Sequence, residues 1–422
     1  MKKKMIIAMC MLMAVLLCGC GEKKKDKVEK EVENKAEEDG KKTISLVTDY
    51  GNIDDKSFNE GSWNGVLKFT EGKDNYNKNY YRALFDSDKE RKKAIEQAVD
   101  EGADILICPG SQFKEVIYDI QRKEEYKDKV IMLLDTEPLD PEGKVDIASN
   151  VHCILYKEEE VGFLAGYAAV KEGYRKLGFL GGMEFDPIKR FGYGYVQGAE
   201  AAAKELKLKE KSVEVKFWYG GGFQPTKKVT KKMRDWYKSG TEVIFSCGGG
   251  ILYSVIEAAG DNKDRKIIGV DSDQADESDH IIFSAMKGLT ESVYNALEEL
   301  NKNDGKWPEE YAGKTAHVGV AENSVSLSAT EDSWRRKNFT IDDYNEAYEK
   351  IKNGKLAITK YKVLKESKKY SMLDVEIKTG RKNQIRVHMS DMDTPIVGDK
   401  KYGNKKSHFK RLMLHAYNLE II

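Results

Sequence analysis

The chain has 422 residues, 34% of them charged, and its 71 basic side chains balance its 71 acidic ones. This length predicts two to three domains. The overall balance hides an asymmetry, because residues 361–422 carry 14 Lys and Arg against 7 Asp and Glu, whereas residues 1–360 carry a net negative charge. An acidic body argues against nucleic-acid binding by that part of the chain. Charge alone does not separate an RNA-binding tail from an ordinary lysine-rich surface.

The N-terminus has the pattern of an export signal. An apolar run at residues 5–18 follows three lysines, and it is shorter than the roughly 20 residues that span a bilayer. The residues Leu17-Cys18-Gly19-Cys20 resemble a bacterial lipobox, so we predict a lipoprotein signal over residues 1–20 with Cys20 as the lipid acceptor. Two acyl chains would hold the protein stably at the membrane. An uncleaved anchor helix with incidental cysteines is the alternative.

Residues 21–42 are predicted to be a disordered, charged tether. Val28 and Val32 are almost the only apolar side chains between residues 22 and 42. Such a segment cannot bury enough surface to offset its chain entropy.

The three cysteines beyond the N-terminal region are isolated from one another. Cys108, Cys153 and Cys247 each lie among apolar neighbours. Their odd number and wide spacing fit neither a disulfide framework nor a zinc site. We therefore predict buried free thiols and no metal site.

From residue 43 onward, strand and helix patterns alternate in two rounds. This alternation predicts parallel sheets with helices on both faces, arranged as two lobes. The predicted strands are 43–48, 80–85, 104–108, 130–134, 176–180, 213–218, 242–246, 266–270 and 281–285. The predicted helices are 58–69, 90–101, 112–124, 158–171, 189–205, 227–238 and 250–259.

Polar residues follow several of these strands, and ligands of α/β sheets bind at the carboxyl ends of the strands. Asp49, Asp135 and Asp271 each end a strand, and Gly248–Gly250 follow another. We expect them to converge on one crevice, where carboxylates accept hydrogen bonds from ribose hydroxyls and glycines let a ligand approach the backbone. Each aspartate taken alone fits a loop residue or a helix N-cap equally well.

Five motifs make residues 43–355 resemble the basic membrane protein family, which comprises lipid-anchored receptors of ABC importers that bind purine nucleosides. The motifs are Asp-Tyr-Gly-Asn-Ile-Asp-Asp-Lys-Ser-Phe-Asn at 49–59, Phe-Leu-Ala-Gly-Tyr at 163–167, Gly-Phe-Leu-Gly-Gly-Met at 178–183, Arg-Phe-Gly-Tyr-Gly at 190–194 and Gly-Val-Asp-Ser-Asp-Gln at 269–274. The resemblance implies a two-lobed type I periplasmic-binding-protein fold with a hinged cleft, a solute-binding domain over 43–357, and a transporter permease as partner.

The resemblance also implies an aromatic pair around the base, with Phe223 in the segment after strand 213–218, and contacts from the first lobe and the motif at 49–59. Phe58 would stack on one face of a purine and Phe223 on the other; the alternative for Phe58 is a core position on an amphipathic helix. Asp49 and Asp135 would contact the base or the sugar. Asn59, in the same motif as Phe58, is placed among the ligand-binding residues.

In the second lobe, the resemblance implies that Gly249 and Asp271 bind the ligand, Asp271 through ribose hydroxyls. Lys287 would reach the ligand or pair with a carboxylate, and a solvated lysine at a helix start is the alternative. Asp54 and Asp55 are expected to cap the following helix rather than touch ligand.

Two features leave the ligand and the class of protein open. The aromatic and glycine-rich stretch at 218–223, with Thr48, departs from the nucleoside binders, so a ligand other than a purine remains an alternative. Asp49 with Asp54 and Asp55 faintly resembles the calcium site of nucleoside hydrolases. The second aspartate and the Pro-Gly of that pattern are missing, so we predict a protein that is not an enzyme and needs no cofactor.

Residues 358–422 resemble the last third of a pseudouridine synthase, which implies a truncated α+β fragment. The resemblance rests on Thr-Gly-Arg-Lys-Asn-Gln-Ile-Arg at 379–386, Pro-Ile-Val-Gly-Asp at 395–399 and Leu-His-Ala at 414–416. Asn383 replaces the family's His, and Arg386 resembles the arginine that pairs with the catalytic aspartate. No Arg-Leu-Asp motif precedes this segment, so we predict an inactive fragment with open strand edges. We interpret the segment as a gene-fusion or assembly artefact or as a degenerate remnant, and a retained RNA-binding role is the alternative.

These patterns predict a solute receptor, anchored through lipid on the outer face of the cell membrane, for a nucleoside-like ligand. No nucleic-acid partner is expected for the exported form. An anchored sensor of the same fold without a transporter is the alternative.

The predicted anchor can be tested at its acceptor. Cys20→Ala removes the thiol that would carry the lipid, so the variant should lose lipid labelling and leave the membrane fraction. Metabolic labelling with a fatty-acid probe and cell fractionation measure both effects, and Cys18→Ala is the matched control. Unchanged membrane retention of Cys20→Ala would contradict the lipobox assignment.

Overall fold

The computed structural model describes residues 40–354, 359–377, 382–392, 394–403, 409 and 411–415. Cys20 and nearly all of the predicted tether lie outside these residues. The described chain forms two compact units. Unit 1 contains residues 40–53, 62–153 and 293–315, and unit 2 contains residues 54–61, 154–292 and those from 316 onward. Within the described ranges, every helix is too short or too polar to cross a bilayer.

Strands and helices alternate along the chain, as the sequence predicts. The first elements are β1 (Lys42–Thr48), α1 (Phe58–Thr70), β2 (Tyr76–Arg82), α2 (Asp88–Asp100), β3 (Ile105–Pro109), α3 (Lys114–Ile120), β4 (Val130–Leu134) and β5 (Val151–Tyr156). Next come α4 (Glu158–Glu172), β6 (Lys176–Gly181), α5 (Asp186–Glu205), β7 (Glu214–Tyr219), α6 (Lys227–Lys238), β8 (Val243–Cys247), α7 (Leu252–Ala259) and β9 (Lys266–Asp271). The remaining elements are β10 (Ile281–Lys287), α8 (Leu289–Lys302), β11 (Lys314–Val318), β12 (Val325–Leu327), α9 (Ile341–Lys352), β13 (Thr359–Glu366), β14 (Ser371–Ile377) and α10 (Gln384–Asp391).

Two six-stranded sheets have closely similar strand orders. The first is ordered β11-β5-β4-β3-β1-β2 and the second β12-β10-β9-β8-β6-β7. Strand β1 is parallel to β2 and β3, and β6 is parallel to β7 and β8. In each sheet the chain adds its second strand on one side of the first strand, β1 or β6, and its third strand on the other side. The strand order therefore reverses next to β1 and next to β6. Ligands of such sheets bind at this switch point, beyond the carboxyl ends of the strands.

Helices cover the central strands, which explains the continuous apolar sequences of those strands. Strands β3, β4 and β8 are buried along their whole length. The free thiols of Cys108, Cys153 and Cys247 are buried, as predicted. Burial raises the pKa of the Cys108 and Cys153 thiols well above the usual range, so these groups are inert components of the core.

Close contact between the backbones of α4 and α5 explains the glycine in the motif at 163–167 and a second glycine, Gly198. A Cβ at Gly166 would lie 1.9 Å from the carbonyl oxygen of Tyr195, and one at Gly198 would lie 1.9 Å from that of Phe163. Real side chains do not fit at such distances, so glycine is required at both positions for the two helices to pack.

Most predicted elements are confirmed, and one strand is wrong. The strand at 130–134 and the helix at 227–238 have the predicted bounds. The strand predicted at 80–85 is instead β2, which pairs with β1 from Tyr76 to Arg82. Leu84 and Phe85 lie beyond its end and are 67% and 68% exposed. Up to residue 355, the elements that were not predicted are β5, α8, β11, β12 and α9.

The described part of the C-terminal segment contains an antiparallel hairpin of β13 and β14, followed by α10. Arg386 donates to both carboxylate oxygens of Asp399 at 2.8 Å, and its Nη1 donates to Asn383 at 3.1 Å. This fork lowers the pKa of the Asp399 carboxyl far below its usual range. Arg386 therefore has its carboxylate partner within this segment.

Candidate functional site

In unit 1, the loop after β1 is organised by the side chain of Asp49. Its Oδ1 accepts the backbone N–H groups of Tyr50 at 2.6 Å and Gly51 at 2.9 Å. Its Oδ2 accepts Nε2 of Gln112 at 2.9 Å. Because Gln112 follows β3, this bond joins the loops that leave β1 and β3 at the switch point of the first sheet.

Two predicted site residues share an unusual backbone conformation. Asp135 directly follows β4 and has φ of 67°, and Asp271 ends β9 with φ of 64°. Residues other than glycine rarely adopt this left-handed region, although aspartate tolerates it better than most. Such conformations persist where the surrounding structure requires them, and they are concentrated at ligand sites.

In unit 2, the carboxylate of Asp271 is buried and accepts the hydroxyl of Ser57 at 2.6 Å between Oγ and Oδ2. Burial raises the pKa of Asp271, and the nearby Glu158 adds to this effect. Lys287 and the Ser57 hydrogen bond act in the opposite direction. Asp271 is thus a buried acceptor whose pKa is raised by burial, and Lys287 and Ser57 counteract part of that rise.

Asp55 caps helix α1, as predicted. Its Oδ1 accepts the N–H groups of Ser57 and Glu60 at 2.9 and 3.1 Å. Its Oδ2 accepts both the backbone N–H and the Nδ2 of Asn59 at 3.0 Å. Burial raises the pKa of Asp55 to about 6 against the effect of these bonds, and the negative charge of Asp271 contributes to the rise.

Lys287 forms a buried ion pair, so the solvated alternative is wrong. Its Nζ lies 3.0 Å from Oε1 of Glu158, and both side chains are almost inaccessible. Nε of Arg190 donates to Oε2 of the same carboxylate at 2.5 Å. The Lys287 ammonium also lies 5.1 Å from the ring centroid of Phe58 and 5.0 Å from that of Tyr156.

Phe58 and Asn59 form the first turn of α1 beside these charges. The ring of Phe58 is half-buried, which agrees with neither a pure core position nor a fully solvated one. Asn59 is buried, and among the described residues its Oδ1 has no hydrogen-bond partner. A buried acceptor without a donor is costly unless a ligand or water satisfies it.

Phe223 and Gly249 lie in the loops that follow β7 and β8. The Phe223 ring packs so closely on Gly182 that a Cβ there would lie 2.4 Å from a ring carbon. Its centroid is 6.0 Å from that of Phe185. Gly249 has φ of 53°, and a Cβ at this position would be 4.0 Å from Cβ of Ser57. These contacts place Gly249 beside Ser57, which donates a hydrogen bond to Asp271.

The structure therefore groups the predicted site residues by unit. Unit 2 contains six of them, namely Phe58, Asn59, Phe223, Gly249, Asp271 and Lys287. All of these except Phe223 are connected through direct contacts or through one shared neighbour. The other two predicted residues, Asp49 and Asp135, belong to unit 1. In the part of the chain that the structure describes, no cluster of His, Cys, Asp and Glu is suited to hold a metal ion.

Sequence reasoning missed four residues that build the site. Glu158 looked like an ordinary acidic residue at a helix start, and Gln112 lay inside a predicted helix. Ser57 and Arg190 lay within recognised motifs but received no role. For Glu158, a useful signal is its position directly after an apolar strand, where burial of a carboxylate requires a cationic partner.

Comparison with known proteins agrees with this architecture. The family described as ABC transporter substrate-binding protein, PnrA-like, matches residues 41–369. The CD4+ T-cell-stimulating antigen of Listeria monocytogenes is 29% identical over 358 residues, which cover 79% of this chain and 92% of that protein. The ABC transporter nucleoside-binding protein BmpA of Lactococcus lactis is 26% identical and covers 63% of this chain and 76% of its own length.

A solved solute-binding protein of an ABC transporter system from Aeropyrum pernix shares the fold. Its TM-score is 0.58 at 20% identity, and the match covers 74% of this chain and 85% of that one. This likeness confirms a periplasmic-binding-protein-like fold with parallel sheets flanked by helices.

The buried ion pair provides a stability test. Lys287→Met leaves Glu158 buried with Arg190 as its remaining described cationic partner, and we expect a loss of about 3–5 kcal/mol in the free energy of unfolding. Glu158→Gln should also destabilise the protein, because the buried charge of Lys287 then loses the carboxylate that lies 3.0 Å from it. The double variant should lose clearly less than the sum of the two single losses. Urea unfolding measures all four proteins, and additive losses would show that the pair is not coupled.

Proposed function

The chain belongs to the family of PnrA-like ABC transporter substrate-binding proteins, and we propose that it is the lipid-anchored receptor of an importer for purine nucleosides. Its relatives are substrate-binding proteins and not enzymes. Membership implies a small-molecule ligand, a transporter permease as partner and a location outside the cytoplasm at the membrane. The finer assignments, which are the nucleoside and the lipid on Cys20, are our proposals.

The surroundings of Asp271 are the main support for a nucleoside. A carboxylate at the end of a strand suits the paired hydroxyls of a ribose, and Ser57 and Lys287 favour the ionised form of Asp271 against the effect of burial. The half-buried ring of Phe58 offers a flat surface for a base. The unsatisfied Oδ1 of Asn59 offers an acceptor for a ligand donor. A nucleoside-binding relative from Lactococcus lactis supports the same ligand class.

The pairing of the nearby cations favours a nucleoside over a nucleotide. A phosphate group needs cationic partners. Lys287, which lies close enough to Asp271 to affect its pKa, already pairs with Glu158. Arg190 donates to the same carboxylate. We therefore propose an uncharged ligand for this part of unit 2.

For the C-terminal segment, we propose a fragment without catalytic activity. Arg386 resembles the arginine that a pseudouridine synthase pairs with its catalytic aspartate, and in this chain it forms a fork with Asp399. That aspartate follows the arginine, whereas the family's catalytic residue precedes it. Residues 379–381 and 416 of the motifs lie outside the described residues.

The proposed ligand can be tested by calorimetry on the chain without its first 20 residues. We expect guanosine, inosine or adenosine to bind with micromolar or better affinity. Phe58→Ala should cost about 1–3 kcal/mol of binding free energy through lost stacking, and Asp271→Ala a similar amount by leaving ribose hydroxyls unpaired. Phe85→Ala, which removes an exposed ring, should change nothing. Binding of a sugar or amino acid, with no heat from any nucleoside, would refute the purine assignment but not the fold.

A second test concerns the C-terminal segment. Removing residues 361–422 should leave nucleoside affinity unchanged, because none of the proposed ligand contacts lies there. The truncated protein should be at least as soluble, since β13 and β14 pair only with each other among the described residues and unpaired strand edges favour aggregation. The full chain should form no pseudouridine in ribosomal or transfer RNA. Uridine isomerisation, or loss of nucleoside binding on truncation, would show that the segment is functional.

A further inference from the structure

We propose that Ser57 is a positioning residue for the ligand-binding carboxylate of Asp271, and that Asp55 holds Ser57 in the place from which it acts. This inference rests on the proposed function, because it gives Asp271 a role in binding. It adds two residues that would touch no ligand atom themselves and a dependence of affinity on pH.

Ser57 is well placed for this role. Its side chain is fully buried, and its hydroxyl donates to Asp271 at 2.6 Å. Its backbone N–H donates to Oδ1 of Asp55 at 2.9 Å. A short hydrogen bond to a carboxylate is among the stronger ones in proteins, so it favours one orientation of the Asp271 side chain.

The segment around Ser57 is bound to the loop that follows Asp271. The carbonyl oxygen of Lys56 accepts Oγ of Ser272 at 2.5 Å and Nε2 of Gln274 at 3.0 Å. Oε1 of Gln274 in turn accepts the N–H of Val270 at 2.9 Å. Together with the bond from Ser57 to Asp271, these contacts join the two segments at three points. The distance between Ser57 and Asp271 is therefore fixed by more than their own contact.

A fixed, ionised carboxylate is the form that can accept two hydroxyl groups. A carboxylate that is already oriented loses less conformational freedom when a ligand binds. Burial and the charge of Glu158 oppose the ionised form of Asp271, whereas Lys287 on β10 favours it. The Ser57 hydroxyl adds to the effect of Lys287 and lowers the pKa of Asp271. Loss of this hydroxyl should therefore raise that pKa.

Asp55 makes this arrangement sensitive to pH. Its two oxygens accept four N–H groups. A protonated carboxyl group would direct its own O–H towards these donors, so the arrangement suits the ionised form. Its pKa of about 6 lies above the ordinary value for an aspartate. As the pH falls through 6, Asp55 gains a proton and its hold on Ser57 weakens. Ligand affinity should therefore decrease on acidification as Asp55 gains its proton.

The test compares Ser57→Ala with Ser57→Thr, which keeps the hydroxyl. In the ligand-free full chain, NMR titration of the Asp271 carboxyl carbon, assigned with Asp271→Asn, should show a higher pKa in Ser57→Ala and the wild-type pKa in Ser57→Thr. At pH 7.5, guanosine affinity should fall about tenfold or more in Ser57→Ala. The acidic limb of its affinity profile should move to higher pH, and the threonine variant should restore both.

Two results would overturn the inference. The first is an unchanged Asp271 titration in Ser57→Ala, and it decides the matter even if no nucleoside binds to the wild-type protein. The second is a shifted titration with unchanged affinity for a nucleoside that the wild type does bind. Failure of the proposed function would look different, because the wild-type chain would then bind no nucleoside while the Asp271 titration still responded to Ser57.

Discussion

Compensation of buried charge is the constraint on which the candidate site depends. Burial raises the pKa of Asp271 and so disfavours its charged form, and Lys287 and Ser57 counteract this effect. Lys287 is buried as well, and Glu158 compensates it at 3.0 Å. Glu158 is completely buried and needs Arg190 in addition. Each charge is tolerated because the next element supplies the opposite one, and removal of any member leaves another uncompensated.

The strand order explains why these groups meet. Asp271 ends β9 and Lys287 ends β10, and these neighbouring strands are parallel with Asp271 opposite Met286. Both side chains therefore lie at the carboxyl edge of one sheet. Helix α4 begins with Glu158 directly after β5, and α5 supplies Arg190. The close packing of α4 on α5, which requires Gly166 and Gly198, keeps the last two charges within reach of each other.

Sequence patterns predicted the fold better than the connections within the site. The apolar run of β4 and the amphipathic face of α6 are local properties, so their bounds could be read directly. The strand predicted at 80–85 was wrong because the position of β2 depends on pairing with β1, which is not local. The same limit applies to Ser57 and Asp271, which are 214 residues apart in sequence. Resemblance to a family identified the motifs that contain them, but not the hydrogen bond that joins them.

The same compensation bears on which ligands the site can select. A site whose buried charges are already matched gains little from a charged ligand, since the new charge would lack a partner. An uncharged ligand that donates hydroxyl groups to Asp271 adds hydrogen bonds and leaves the balance undisturbed. Selectivity against phosphorylated compounds then requires no repulsive group, because Lys287 and Arg190 are engaged by Glu158. On this view Glu158, which would touch no ligand atom, determines the charge of the ligand that the site accepts.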